Sequence, residues 1–196
     1  MRLKPFCISF FLLCFSLTSL WAEEIPTYGY VSDFTFQDQN GKEVKNSDFH
    51  GQVWIADFVF TRCQGMCPML NGRMALFQDE LAPSGIKLVS FSVDPEHDTP
   101  KILSEYAKRF KAKEGAWFFL TGKKQVIWDF IEEGFQLGVA EPTPEDLASG
   151  AEPVMHSSRF VLIDRRGLIR GYYDSSEPEK IAQLKEDALK LVSEKN

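Results

Sequence analysis

VWIADFVFTRCQGMCPMLNGRMALFQDELAPSGIKLVSFSV, residues 53–93, decides the fold. Val53 to Phe60 is an apolar and aromatic run interrupted only by Asp57, bounded by Gly51 and by Thr61-Arg62. A run of that length with so little polarity predicts a strand buried on both faces. Leu70, Met74, Phe77 and Leu81 then recur at helical spacing, with Gln78, Asp79 and Glu80 between them, and Pro83-Ser84-Gly85 ends the helix. Ile86 to Val93 alternates as a second strand. Strand, helix and strand in close succession make a parallel pair joined by a right-handed crossover.

Downstream, Thr99 and Pro100 suit the N-cap and first position of a helix whose apolar face is Ile102, Leu103, Tyr106, Ala107 and Phe110. Trp117 to Leu120 reads as a short strand, and Val126, Ile127, Phe130 and Ile131 as the inner side of another helix. Gly134 to Met155 is a long segment rich in Pro, Gly and Glu, expected to be a functional or mobile loop. Arg159–Ile163 and Leu168–Tyr173 form a hairpin about Asp164-Arg165-Arg166-Gly167. Ser176 and Glu179 offer a capping box to a last helix with the stripe Ile181, Leu184, Ala188 and Leu191. Upstream, Phe34 to Lys45 (FTFQDQNGKEVK) reads as an extra β-hairpin about Asn40-Gly41, with no function assigned to it. The expected class is α/β, with a central mixed sheet, helices on both faces and an N-terminal β-hairpin. A thioredoxin-like arrangement with an inserted segment accommodates this order.

Arg2 and Lys4 precede an uncharged, proline-free apolar run from Phe6 to Trp21. This predicts residues 1–22 to be an export signal, or an N-terminal membrane anchor if the chain is not cut after Ala22. Residues 23–196 then make one domain, soluble or tethered, in the periplasm or at the outer face of the membrane. The chain carries a net charge of −6 and no basic patch, which argues against a nucleic-acid partner.

Of the 4 cysteines, Cys7 and Cys14 lie in the export segment, leaving Cys63 and Cys67. One close pair is not a disulfide scaffold, and the loop it closes is too small to stabilise much. TRCQGMCP, residues 61–68, sits between the carboxyl end of the first strand and the start of a helix, an edge where open α/β sheets bind ligands. Pro68 suits the first helical turn and places Cys67 at or beside the N-cap, where exposed N–H groups and the helix dipole favour a thiolate. Two thiolates select Cu(I), zinc or iron–sulfur chemistry. Zinc and iron–sulfur sites ask for four ligands, whereas copper is satisfied by two or three, and one imidazole would also let it hold Cu(II). Three histidines are available. His50 lies in a turn and reads as a solvated residue, His97 lies in an acidic turn at the cysteines' edge, and His156 follows the long segment. The residues alone do not choose among them. Met66 carries a thioether, but a methionine there ordinarily packs.

DFVFTRCQGMCP (57–68), FSVDPEHDTP (91–100), WFFLTG (117–122) and HSSRFVLIDRRGLIRGYY (156–173) together resemble the Sco/SenC family, the exported copper proteins that serve the dinuclear copper centre of cytochrome c oxidase. The resemblance runs from about Tyr30 to Leu191. The family motif is Cys-x-x-x-Cys-Pro with a distant histidine, and it implies Cys63, Cys67 and His156 as ligands of one copper ion. The spacer Gln64-Gly65-Met66 differs from the acidic, proline-containing one of well-studied members. The resemblance implies a metallochaperone whose partners are the copper-site subunit of the oxidase and a copper donor protein.

The alternative is an exported thiol–disulfide oxidoreductase that reduces cysteines of a copper-site client, using Cys63 and Cys67 as its redox pair. Asp57 stands six positions before Cys63, an offset shared with the buried aspartate of thioredoxins, and would tune the thiols. A peroxiredoxin-like reading would use Thr61 and Arg62, but its spacing pattern is missing.

Overall fold

The computed structural model describes residues 24–194. The segment 6–21 read as a signal or anchor, with Cys7 and Cys14, lies outside the described residues. No helix among the described residues is long and apolar enough to cross a membrane.

In chain order the elements are β1 (Gly29–Tyr30), β2 (Thr35–Gln37), β3 (Glu43–Lys45), β4 (Trp54–Val59), α1 (Cys67–Leu81), β5 (Lys87–Ser92), α2 (Pro100–Arg109), β6 (Trp117–Leu120), α3 (Lys124–Asp129), β7 (Val139–Ala140), α4 (Pro144–Ala148), β8 (Met155–His156), β9 (Arg159–Ile163), β10 (Leu168–Asp174) and α5 (Pro178–Ser193). Six strands make the main sheet in the order β1-β10-β9-β4-β5-β6. β4, β5 and β6 are parallel, β9 runs antiparallel to β4, and β10 and β1 continue antiparallel. The sheet is therefore mixed, as expected.

All six residues of β4 are buried. The alternation expected of β5 does not translate into a wet face, because only Lys87 is partly exposed. Ser90 and Ser92 lie inside because each hydroxyl finds a partner. Ser90 Oγ accepts from Trp117 Nε1 at 2.9 Å, and Ser92 donates to Asp98 Oδ2 at 2.7 Å. One sheet face packs Ile55, Leu88 and Leu162 against Leu70, Met74, Phe77 and Leu81 of α1, Leu103 of α2 and the α5 stripe Ile181, Leu184, Ala188 and Leu191. The opposite face packs Trp54, Phe58 and Phe91 against Ile127 of α3 and Phe130 and Phe135 beyond it.

The N-terminal hairpin completes that second face. β2 and β3 pair about a turn in which Asp38 Oδ1 accepts from the N–H groups of Asn40 and Lys42 at 2.8 and 2.9 Å, and Gly41 takes φ +76°. Gln37 and Thr121 exchange two backbone hydrogen bonds of 2.9 Å, docking the hairpin beyond β6. Phe34 meets the rings of Phe36, Phe49, Phe91 and Phe130 at centroid distances of 5.0 to 6.3 Å.

Three local expectations need correction. Residues 134–155 are not structureless. They contain β7 and α4 and lead into β8, which pairs antiparallel with β7, and Leu137, Val139 and Val154 are buried in the core. Val126 is 52 % exposed, and the buried side of this segment is Ile127, Phe130 and Ile131, the last two in a π-type turn at Phe130–Gly134. Ser176 and Glu179 make no capping box. Asp174 draws the Ser176 hydroxyl (2.6 Å), and the cap position falls on Glu177 with Pro178 opening the helix. The Thr99 cap and Pro100 start of α2 form as expected.

Phe34→Ala should lower the unfolding free energy by about 3–5 kcal/mol in urea denaturation, because it empties the centre of this ring cluster. A loss below about 1 kcal/mol would mean that the hairpin is an appendage and not part of the core.

Candidate metal centre

β4 ends at Val59, and the chain turns over Phe60 to Met66 before α1 begins at Cys67. Cys67 is the first residue of the helix and Pro68 the second, where the missing N–H costs no helical hydrogen bond. The Cys67 N–H points at Cys63 Sγ, 3.3 Å away, so the two sulfur-bearing residues close a tight turn. Both are free thiols and both are buried, Cys67 completely and Cys63 to 7 % exposure.

His156 reaches this turn from the far end of the chain, 89 positions after Cys67, with its Nε2 3.8 Å from Cys67 Sγ. The β7–β8 ladder seats it opposite Val139. Its Nδ1 lies 2.9 Å from the Ser157 carbonyl oxygen, which can only accept, so Nδ1 carries the proton and Nε2 presents its lone pair to the sulfur side. Phe60 meets the ring edge to face at 5.6 Å. Burial holds the imidazole below its ordinary pKa and so keeps it neutral. Glu152 Oε1 accepts from Gly65 N–H at 3.1 Å, tying the histidine segment to the cysteine turn. Among the described residues no three His, Cys, Asp or Glu side chains already stand at metal-binding spacing. The donors are neighbours, not a closed shell.

The thiolate expected at the helix start is not what the fold favours in Cys67. Burial pushes this thiol up, far enough to outweigh the backbone at Phe60 that pulls it down. Beneath the pair lies a buried polar floor. Asn71 Nδ2 donates to the Cys67 carbonyl at 2.9 Å and to Tyr106 Oη at 3.1 Å, while Asn71 Oδ1 and both carboxyl oxygens of Asp57 have no hydrogen-bond partner. Burial raises Asp57 to about 7.

The turn before Cys63 is clamped from β5 and the turn that follows it. Buried Asp98 accepts from Thr61 N–H (3.1 Å), Thr61 Oγ1 (2.5 Å) and Ser92 Oγ (2.7 Å). Arg62 Nε and Nη2 converge on Asp94 Oδ2 at 2.9 and 2.6 Å. Thr61 and Arg62 are thus occupied as structural partners. The sequence reading missed Asp94, Asp98, Asn71, Tyr106 and Glu152. Asp94 and Asp98 had a signal, two carboxylates at the carboxyl end of a strand parallel to β4, whereas Asn71 and Glu152 had none. His97, the histidine in the acidic turn at the cysteines' edge, lines a surface cavity with Thr61, Ile102 and Tyr106. His50 is exposed in its turn, as expected. Met66 is 45 % exposed and lies outside the core.

The family model described as SCO1/SenC matches residues 22–192. The chain belongs to the SCO1/SenC family. Its similarity to the SCO1 protein homolog of Bacillus subtilis is 38 % identity over 150 residues, 75 % of each chain. A SCO1/SenC family lipoprotein of Bacillus anthracis superposes with TM-score 0.74 and 32 % identity, covering 84 % of this chain and 96 % of that one. BsSco, described with a disulfide switch and as a member of the Sco family of cytochrome c oxidase assembly proteins, gives 0.73 and 34 %, covering 86 % and 97 %. Bradyrhizobium japonicum ScoI, solved with copper bound, shares the fold at 0.66 and 24 %, covering 80 % and 98 %. The Sco fold of these relatives is the thioredoxin-like one expected from the order of elements.

Asp57 ties this site to pH. Its carboxyl titrates near 3.8 in the unfolded chain and at about 7 in the fold. Between those values the folded state keeps a proton that the unfolded state has released, so stability falls as pH rises and the loss is complete above about 7. In metal-free, reduced protein, Asp57→Asn should match wild type near about pH 4 and exceed it by a few kcal/mol near about pH 8 in urea denaturation. Parallel profiles across that range would mean that Asp57 is not desolvated as described.

Proposed function

We propose that this Sco-family chain is a copper-binding metallochaperone that helps assemble the dinuclear copper centre of cytochrome c oxidase, carrying one copper per chain on Cys63, Cys67 and His156. The approach of His156 Nε2 to Cys67 Sγ, 3.8 Å across 89 positions of sequence, carries the reading. Two sulfurs and an imidazole with its lone pair turned toward them suit Cu(I), and the nitrogen also suits Cu(II). The copper-bound ScoI and the oxidase-assembly description of BsSco support the same cargo and client.

Copper is cargo, so the chain's residues must both hold and release it. The thiols give up their protons as they ligate. The imidazole is already neutral and is oriented by Ser157. The β7–β8 ladder beneath His156 is only two residue pairs long and can part without disturbing the main sheet. The partners are a copper donor protein and the copper-site subunit of the oxidase. Residues 6–21 act as the export signal or anchor, placing the domain in the periplasm or at the outer face of the membrane.

A second reading is a thiol–disulfide oxidoreductase, favoured by the Cys67 N–H contact to Cys63 Sγ and by the unpartnered Asp57 carboxyl. A client disulfide would take two electrons from the pair, yielding two client thiols and a Cys63–Cys67 disulfide. The readings share their sulfurs, and oxidation of the pair removes both sulfur ligands.

Copper titration of the reduced full-length chain, with Cys7 and Cys14 replaced by serine throughout, separates them. Wild type should bind one copper and show a sulfur-to-Cu(II) charge-transfer band. His156→Ala should lose tight binding yet still reduce a disulfide substrate, and Cys63→Ala and Cys67→Ala should lose both. Copper binding by His156→Ala equal to wild type would remove His156 from the site.

A further inference from the structure

The β7–β8 ladder that seats His156 is too short to hold its own geometry, so the seat is fixed from outside it. Two polar contacts do this, one at each end of segment 141–152. At the first end Lys124 Nζ, from the start of α3, donates to Oε1 of Glu141, the residue that follows β7. The same Nζ lies 3.5 Å from Glu96 Oε2 and 4.7 Å from the centre of the Trp128 ring. Trp128 is itself held, its Nε1 donating to the Val93 carbonyl at 2.9 Å. The Lys124 side chain is only 30 % exposed, so its charge meets the two carboxylates partly out of water. Glu96 belongs to the turn 94–98, whose Asp94 and Asp98 clamp Arg62 and Thr61 ahead of Cys63. One turn thus serves as the reference for both halves of the site. At the other end Glu152 Oε1 accepts from Gly65 N–H at 3.1 Å, inside the Cys63–Cys67 turn. A Cβ at residue 65 would stand 3.0 Å from that oxygen, so glycine leaves the carboxylate its room.

We propose that Lys124 and Glu152 are positioning residues for the metal centre, pinning segment 141–152 at both ends so that His156 stays against Cys67. The proposal rests on the copper reading above and names what holds its third ligand. Neither side chain is itself a ligand in it. Protonated Lys124 has no lone pair to give, and Glu152 directs its oxygen to the Gly65 backbone. Partners behind a metal ligand fix its orientation and strengthen binding, whereas exposed polar pairs add little to folding. The two effects therefore separate. Loss of these contacts loosens the imidazole and leaves the fold intact.

The reduced, metal-free full chain, with Cys7 and Cys14 replaced by serine, reports the seat by NMR. The His156 and Phe60 rings, with centroids 5.6 Å apart, should give a nuclear Overhauser cross-peak. Lys124→Met and Glu152→Ala should each weaken it several-fold, and the double variant should abolish it. Glu152→Gln, which keeps an oxygen acceptor for the Gly65 N–H, should retain it. The cross-peak between Phe34 and Phe91, whose centroids are also 5.6 Å apart, should persist in every variant as the mark of an intact core. A His156–Phe60 peak unchanged in the double variant would overturn the proposal. So would its loss together with the Phe34–Phe91 peak, which would make the contacts general supports of the fold. With copper bound, the double variant should surrender Cu(II) to a chelator several-fold faster at unchanged stoichiometry, and an equal rate also overturns the proposal. Failure of wild type to bind copper would instead defeat the metallochaperone reading, and the cross-peaks, read without metal, would still decide this one.

Discussion

The antiparallel pairing of β9 with β4 is the constraint on which the site depends. Trp54 pairs with Ile163 and Ala56 with Val161, so the start of β9 lies beside the end of β4. The turn leaving β4 carries the cysteines, and the segment entering β9 carries His156. Both must therefore emerge at the same edge of the sheet. Parallel pairing would send the residues before β9 to the opposite edge, beyond any hydrogen-bond reach of Cys67.

Around that edge, rigidity and exposure are divided. The side before Cys63 is held by Asp98 and Asp94 through Thr61 and Arg62, with Asp98 itself fully buried and the Arg62 side chain half open to solvent. Buried hydrogen bonds to a carboxylate resist displacement better than a wet ion pair does. The histidine side is held differently. Leu137, Val139 and Val154 anchor it apolarly, while Met155 stays exposed and His156 half-buried. Anchored at its root, the segment allows motion at the rim and not the wholesale swing that an unstructured loop would permit.

The floor of the site runs against ordinary core composition. Asp57 and the Asn71 carbonyl oxygen are buried without partners, each at a cost of about 1–3 kcal/mol. Valine at Asp57 would make a better strand, given that all its neighbours in β4 are apolar. A carboxyl kept protonated to about pH 7 beneath two thiols offers a proton where ligation and disulfide exchange both consume or release one. Asn71 has a clearer task, joining the first turn of α1 to Tyr106 of α2 and thereby fixing the Cys67 backbone.

Much of this was legible in the chain itself. The apolar run 53–60, the helical stripe 70–81 and the hairpin at 164–167 specify their elements locally, because burial on one or both faces imposes its period on the residues. The pairing of Cys63 and Cys67 was readable because four positions in a turn keep two sulfurs together. Residues 134–155 were not readable, since a two-pair ladder leaves no period in a loop-like composition. Nor were the buried state of Cys67, the partners of Asp98, the role of the 34–45 hairpin or the exposure of Met66. The sequence by itself determined the strand–helix–strand frame and which side chains were chemically able to bind a soft ion. The family resemblance already implied His156, but only the tertiary structure shows how it meets Cys67, because that meeting depends on strand order and direction, which join residues distant along the chain and leave no local trace.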